Sequence, residues 1–327
     1  MTKLSACGII PVYNNSETLE ESIQSFLDQS LPLQQLIIID DNSSDKSLSI
    51  IKSFKDSRIK ILTNSKRIGT SASFNRAIPF VTSDVILSHG GDDISSLTRW
   101  QIQSNYFNDP ELGVLASSFN LIDDHNNFLN LGYASEFVRN ITCCSDLFQE
   151  LFWHSNFICA PSVAIRTKYF KDKGLFPPTL QMSNDFIFWL FTAQENKLKI
   201  SDDIVVNYRR SSQTLSGRGT SIYSYLGRIS RFEHFTIYMQ LFDSLNFLDC
   251  KKLSKTFHFE PNKVLLNDQN NLSVFKINIF LSHPNPIVKE VGIFHLLKLR
   301  NFDLLDISEF TSISNVVYSD FRNRRFL

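Results

Sequence analysis

Two adjacent carboxylates, Asp92 and Asp93, follow two glycines in the stretch "VILSHGGDDISS", Val85 to Ser96. Neighbouring like charges repel, so the stretch is either a solvated Asp-Gly turn or a site that uses the charge. A hard divalent cation takes oxygen ligands, binding through one or two carboxylates and completing its shell with water and substrate phosphates. In extended backbone adjacent side chains leave on opposite sides, so one acid is expected on a cation and the other elsewhere. Gly90 and Gly91 would let phosphates come close to the main chain. A second acidic pair, Asp40-Asp41, closes "QQLIIIDD". It either grips a nucleoside or merely favours the N-terminus of the helix begun by Ser43, Ser44 or Asp45. A basic pair, Lys66-Arg67, and the flat ring of Tyr13 complete the candidates. Tyr13 offers a base a surface to lie against, with a core tyrosine as the competing reading.

The elements that position these residues alternate regularly. "KLSACGII" reads as a strand ending at Pro11. "SETLEESIQSFLDQS" reads as a helix with Ser16 or Asn15 as its cap and Glu17 and Glu20 in its first turn. "QQLIIIDD" is a second strand, apolar enough for burial on both faces. A helix, the strand "RIKILTN", the helix "GTSASFNRAIPFV", the strand "DVILSH", the helix "SSLTRWQIQSNYF" and the strand "LGVLASS" follow. This pattern predicts βαβ units and an open parallel sheet with helices on both faces. Ligands in such sheets bind beyond the carboxyl ends of the strands, where residues 11–14, 40–41, 64–69 and 90–93 all lie. After about residue 120 the alternation breaks. "FNLIDDHNNFLNLGY" suggests two strands around a turn, "SNDFIFWLFTAQENKLKI" a helix leading to the strand "IVVNYRR", and the chain beyond Ser216 a helical extension.

Composition narrows the function classes. With 33 basic and 33 acidic residues in 327, the chain lacks the basic footprint of a nucleic-acid binder. No apolar run is long enough for a membrane span, and the N-terminus runs straight into a core strand without a cleavable signal. Five cysteines, including the adjacent Cys143 and Cys144, show no zinc spacing and suit a reducing compartment. No G-x-G-x-x-G follows the first strand and no P-loop is present, which argues against dinucleotide cofactors and P-loop chemistry. A phosphorylated receiver domain needs acids after the first strand and an Asp after the third. Here those strands end in Pro-Val-Tyr-Asn and Thr-Asn-Ser-Lys.

"IIPVYNNSETLEESIQSFLDQS", "IIIDDNSSD", "NSKRIGTSASFNRAI" and "SHGGDDISSLTRWQIQ", in this order and at this spacing, resemble the family 2 glycosyltransferases of GT-A fold. "HSNFICAPSVAIR", "SNDFIFWLF" and "VVNYRRSSQTLS" resemble later segments of that family. The resemblance implies an α/β, doubly wound GT-A fold with a mostly parallel sheet. Residues 1–118 would form the nucleotide-sugar half, 119–215 the acceptor half and 216–327 a C-terminal helical extension. It implies that Pro11, Tyr13 and Asn14 line the nucleoside, that Asp41 hydrogen-bonds the base and that Arg67 meets the diphosphate. Gly91, Asp92 and Asp93 would complete the donor site, with Asp92 on Mg²⁺ or Mn²⁺. The first Asp of the family's D-x-D element falls at Gly90 and is missing. Asp185, matching the acidic residue that opens the acceptor-side helix, would be the general base, with Asn184 where Glu is commoner; a helix cap is the plain alternative. His154 beside the aromatics, His89 beside the glycines and the pair Arg209-Arg210 carry weaker expectations: an acceptor contact, no defined role, and either donor phosphates or an exposed face.

The implied activity is metal-dependent inverting transfer of a sugar from a nucleotide-diphosphate sugar to a hydroxyl of a glycan or lipid-linked acceptor, in cell-surface polysaccharide synthesis. A non-catalytic module binding the same donors is the rival. The implied setting is cytoplasmic, peripheral at the inner face of the membrane. The terminal "RNRRFL", Arg322 to Leu327, would either touch anionic headgroups or stay solvated.

Overall fold

The computed structural model describes residues 4–130, 146–210, 225–254 and 269–301. Cys143, Cys144, Ser216 and the tail from Arg322 lie outside the described residues. The chain divides into two compact units, Met1–Ser221 and Ile222–Leu327.

The first unit alternates β1 (Ala6–Val12), α1 (Leu19–Leu27), β2 (Gln35–Asp40), α2 (Ser47–Ser53), β3 (Ile59–Thr63), α3 (Thr70–Ala77) and β4 (Val85–Ser88). These four strands form a parallel block in the order β3-β2-β1-β4. Leu36 to Asp40 are all buried, as expected for a strand covered on both faces, whereas the edge strand β3 is only half-buried. Leu19, Ile23 and Phe26 of α1 pack onto β1 and β2 together with Ile10, Val12, Leu36 and Ile38. Full burial of each such side chain contributes about 1.5–3 kcal/mol. The chain order reverses between β1 and β4, so the loops beyond these two strands border the crevice where doubly wound sheets take ligands.

The rest of the unit comprises β5 (Ile94–Ser95), α4 (Arg99–Tyr106), β6 (Val114–Ile122), β7 (Phe128–Leu129), α5 (Leu147–His154), β8 (Ala164–Arg166), α6 (Thr167–Lys173), α7 (Asn184–Gln194) and β9 (Leu198–Arg209). Among the described residues one nine-stranded sheet results, ordered β3-β2-β1-β4-β8-β6-β9-β5, with β7 on β6. Beyond β4 the sheet becomes mixed, because β8 runs antiparallel to both β4 and β6. "LGVLASS" and the following "FNLI" are one strand, β6, which pairs with β9 through an irregularity at Ser117–Phe119.

Local details depart from expectation at two places. β1 continues through Pro11 to Val12, with Pro11 opposite Ile39. Helix α1 starts later than its acids suggest: Thr18 stands at the N-cap with no side-chain bond to the helix's own N–H groups, and Glu20 and Glu21 occupy the first turn. The side chain of Asn15 turns back to accept from the Tyr13 N–H at 3.0 Å instead of capping the helix.

The second unit contains α8 (Tyr225–Ser244), α9 (Phe247–Ser254), α10 (Gln269–Ser282) and α11 (Pro286–Asn301), in keeping with the helical reading. Its core gathers Tyr238, Leu241, Phe242, Phe280, Val288 and Val291. His295 stacks on Phe242 with ring centroids 3.7 Å apart. Among the described residues no helix is long and apolar enough to cross a membrane.

Candidate functional site

The loops after β1 and β2 are laced together by their own polar groups. Asn14 adopts φ 54°, a left-handed conformation that Asn tolerates. Its Oδ1 accepts from the Ser44 N–H at 2.8 Å, and its own N–H donates to Ser43 Oγ at 3.1 Å. The Ser16 N–H donates to Asp45 Oδ2 at 2.9 Å. Burial works against the charge of Asp45, but hydrogen bonds from Ser47 and Ser16 outweigh it and hold the carboxyl at about 2. Asn14 therefore spends its acceptor on joining two loops. Pro11, expected in the nucleoside loop, sits half-buried near the end of β1, two residues before Tyr13.

Asp41, buried at the end of β2, anchors the third loop. Its Oδ1 accepts from Asn64 Nδ2 at 2.7 Å and the Ile68 N–H at 2.8 Å, and its Oδ2 from the Gly69 N–H at 2.8 Å. A carboxylate offers about four lone-pair positions, so one acceptor position on Oδ2 remains. Asn64, just after β3, donates to Ser73 Oγ at 2.9 Å and accepts from Arg76. The Arg67 guanidinium lies over the Tyr13 ring, 3.9 Å from the centroid. Tyr13 is 37% exposed and is no core residue.

The loop after β4 packs against the first loop. Thr18 Oγ1 donates to the Gly91 carbonyl at 3.1 Å and Ser22 Oγ to the Gly90 carbonyl at 2.9 Å. A Cβ on Gly91 would fall 3.0 Å from Asn15 Oδ1. At Gly90 a Cβ would fall 2.5 Å from Asp93 Oδ2 and 2.7 Å from Asp92 Oδ1. The two carboxylates thus lean over one glycine, and do not diverge as extended backbone would have them. The cause is the turn at residues 91–92. A side chain at position 90 would have to displace these carboxylate oxygens. The space expected for phosphates at the glycines is filled by Asn15 and by these carboxylates.

Burial pushes Asp93 well above the ordinary carboxylate range, and the neighbouring Asp92 charge adds to it. Burial also raises Asp92. Oxygen-only donors converging over a glycine fit a hard divalent cation such as Mg²⁺ or Mn²⁺. Among the described residues no group of three or more His, Cys, Asp or Glu side chains could hold an ion, so one bound here would need water or substrate oxygens to complete its shell.

Three buried bases sit behind the acids. His89 stacks on Phe26 with centroids 4.4 Å apart, and its Nε2 meets the Asp93 carbonyl at 3.1 Å. Burial drives its pKa well below the usual value, so it is a neutral packing group. Arg99, absent from the sequence candidates, donates to the Ser88 and Val163 carbonyls at 2.9 and 3.1 Å. Arg209 is 2% exposed, which removes the exposed reading of that residue.

Asp185 lies half-buried in the first turn of α7. Its carboxylate accepts from the Phe186 N–H at 2.8 Å, with Asn156 Nδ2 at 3.3 Å and Trp189 Nε1 at 3.4 Å. Burial raises its pKa against these bonds. Burial pushes the Cys159 thiol far above its ordinary value, and the charges of Asp93 and Asp185 add to the shift. His154 is exposed at the end of α5, 3.7 Å from Glu150. Asn156 and Arg99 carried no signal in the sequence, because each matters only through a distant partner.

Known proteins share both sequence and fold with this chain. An uncharacterized glycosyltransferase of Methanocaldococcus jannaschii is 27% identical over 244 residues, covering 73% of this chain and 79% of the relative. The Escherichia coli UDP-Glc:alpha-D-GlcNAc-diphosphoundecaprenol beta-1,3-glucosyltransferase WfgD is 29% identical over 212 residues, 64% of this chain and 78% of its own. Among solved structures, S. aureus TarS 1-349 in complex with UDP-GlcNAc superposes with a TM-score of 0.61 at 16% identity, covering 89% of each chain. A mannosyltransferase from Pyrobaculum calidifontis in complex with GDP-Man and Mn²⁺ reaches a TM-score of 0.50 at 12% identity, over 97% of this chain and 81% of that one. Residues 7–174, just over half of the chain, match the family described as glycosyl transferase family 2. With the ordered motifs and the GT-A fold, that match establishes that the chain is a glycosyltransferase and belongs to glycosyl transferase family 2.

Proposed function

We propose that this enzyme transfers a sugar, with inversion, from a uridine-diphosphate sugar to a hydroxyl of a glycan or lipid-linked acceptor, assisted by Mg²⁺ or Mn²⁺. The observation that carries the reading is the convergence of the Asp92 and Asp93 carboxylates over Gly90, in the loop beyond β4 of a family 2 glycosyltransferase. Residues 1–118 would serve the donor and residues 119–215 the acceptor. Asp41 would take one N–H of the base on its remaining acceptor position. Uracil presents a single imide N–H, whereas guanine presents two adjacent N–H groups that need both carboxylate oxygens. TarS is solved with UDP-GlcNAc, and the name of WfgD specifies a UDP-Glc donor and a diphosphoundecaprenol-linked acceptor. Both support a uridine donor, and the second supports a lipid-linked acceptor.

In the reaction the acceptor oxygen attacks the anomeric carbon as the bond from that carbon to the diphosphate oxygen breaks. The hydroxyl proton passes to Asp185, which its burial makes a stronger base than a solvated carboxylate. Asn156 holds the carboxylate in place through its amide. Asp92, with Asp93 beside it, would hold the cation, which when bound supplies charge stabilisation on the departing diphosphate. Two readouts test the proposal. Calorimetry of UDP binding with Mn²⁺ and with EDTA should show tighter binding with the ion. Asp185→Asn should lower transfer by about 10²–10⁴-fold while leaving UDP affinity near wild type. Normal turnover by the variant would remove Asp185 from the mechanism.

A further inference from the structure

The guanidinium of Arg209, at the end of β9, is buried and committed to three separate segments. Its Nε donates to the Asp92 carbonyl at 2.7 Å, its Nη1 to the Asp123 carbonyl at 2.6 Å, and its Nη2 to Asn126 Oδ1 at 2.7 Å. Glu21 Oε2, on α1, lies 3.5 Å from Nη2. The backbone N–H of the same residue donates to Asp93 Oδ1 at 2.9 Å. We propose that Arg209 is a positioning residue for the cation: it pins the 91–93 turn so that the Asp92 carboxylate stays free to bind a divalent ion that Arg209 itself never touches. The proposal rests on the donor-site reading given above.

The argument turns on which oxygens the arginine takes. A guanidinium beside two carboxylates would ordinarily engage one of them with parallel bonds and consume the oxygens a cation needs. Here the fork faces a main-chain carbonyl of Asp92 and two acceptors on the 123–127 turn, whose Asp123 side chain is itself tied up by Asn127 and the His125 N–H. Among the described residues no other side chain donates to the Asp92 carboxylate. Asp93, by contrast, is fixed by the Arg209 backbone. One residue thereby sorts two adjacent acids into a held one and an open one. Lysine cannot reproduce this, because an ammonium lacks the planar fork that reaches the three segments at once.

The test uses the full chain and measures Mn²⁺ affinity with saturating UDP, alongside UDP affinity in EDTA, by calorimetry. Arg209→Lys and Arg209→Gln should weaken Mn²⁺ affinity by about 10–100-fold, as loss of a ligand's supporting bond does, with UDP affinity in EDTA changed by less than about twofold. Asn126→Ala, which removes the acceptor of Nη2 and leaves Arg209 in place, should shift Mn²⁺ affinity in the same direction by less. If the Arg209 variants fail to fold, this variant decides alone. Unchanged Mn²⁺ affinity in folded variants overturns the proposal. So does an equal loss of UDP affinity with and without Mn²⁺, because that pattern marks general loosening. Wild-type UDP binding that is indifferent to Mn²⁺ would instead overturn the donor-site reading, and would be seen before any variant is made.

Discussion

Asp185 and Gly90 are the residues where a single atom's surroundings decide the chemistry. Burial holds the Asp185 carboxyl above its ordinary value, so the folded chain binds that proton more tightly than the unfolded chain. Its contribution to stability is therefore fully present at low pH and is lost as pH rises through the folded pKa. Asp185→Asn removes that dependence, so the stability of the variant relative to wild type should rise as the pH climbs above about 4, measured by denaturant melts. The wild-type rate should fall on the acid side with a midpoint above the model-compound value of about 3.9, because only the ionised base accepts a proton. At Gly90 the expectation runs against motif logic. Gly90→Asp restores the family's first acid, yet its Cβ meets Asp93 Oδ2 and Asp92 Oδ1. It should cost about 1–3 kcal/mol by overpacking and weaken Mn²⁺-assisted UDP binding. Stronger binding would show that the turn has room for a third carboxylate.

The loop between β3 and α3 is held by a carboxylate from the neighbouring strand. Asp41 accepts from Asn64, Ile68 and Gly69, which span that loop from end to end. Asp41→Ala leaves those donors without their acceptor and should cost about 1–3 kcal/mol in chemical denaturation. It should also weaken UDP binding with and without metal, in contrast to changes in the Asp92 turn, which act only when the ion is present. Arg67 shares this loop and stacks on Tyr13 across it. The loop that Asp41 anchors therefore delivers the Arg67 guanidinium to the Tyr13 ring.

At the scale of the whole chain, the donor loops, the acidic turn and Asp185 all belong to Met1–Ser221. Residues 1–221 produced alone should fold and show a melting temperature raised by UDP with Mn²⁺. Ligand at a hundred times its dissociation constant adds about 2.7 kcal/mol to a folded site and nothing to an unfolded one. A truncated chain that melts without any UDP-dependent shift would mean that the helical unit is needed to build the donor site.

Much of this architecture is legible in the chain's own periodicity. Short apolar runs such as Leu36–Ile39 can only be central strands, and the acids that follow them must then gather at one end of the sheet. Position made Asp41, Asp92 and Asp93 candidates, and the family resemblance supplied the roles expected of them. The helical character of the C-terminal part was equally readable. Tertiary structure decided the rest, because it depends on partners distant in sequence. The convergence of Asp92 and Asp93 over Gly90 comes from a turn, one of the two backbone readings the sequence left open. Arg209 reads as a surface charge until β9 is laid against β5 and β6, which buries it among acceptors from three segments. Hydrophobic period records which face of an element is covered, but carries no information about which polar group meets which across the sheet; those meetings are settled only when the strands pair.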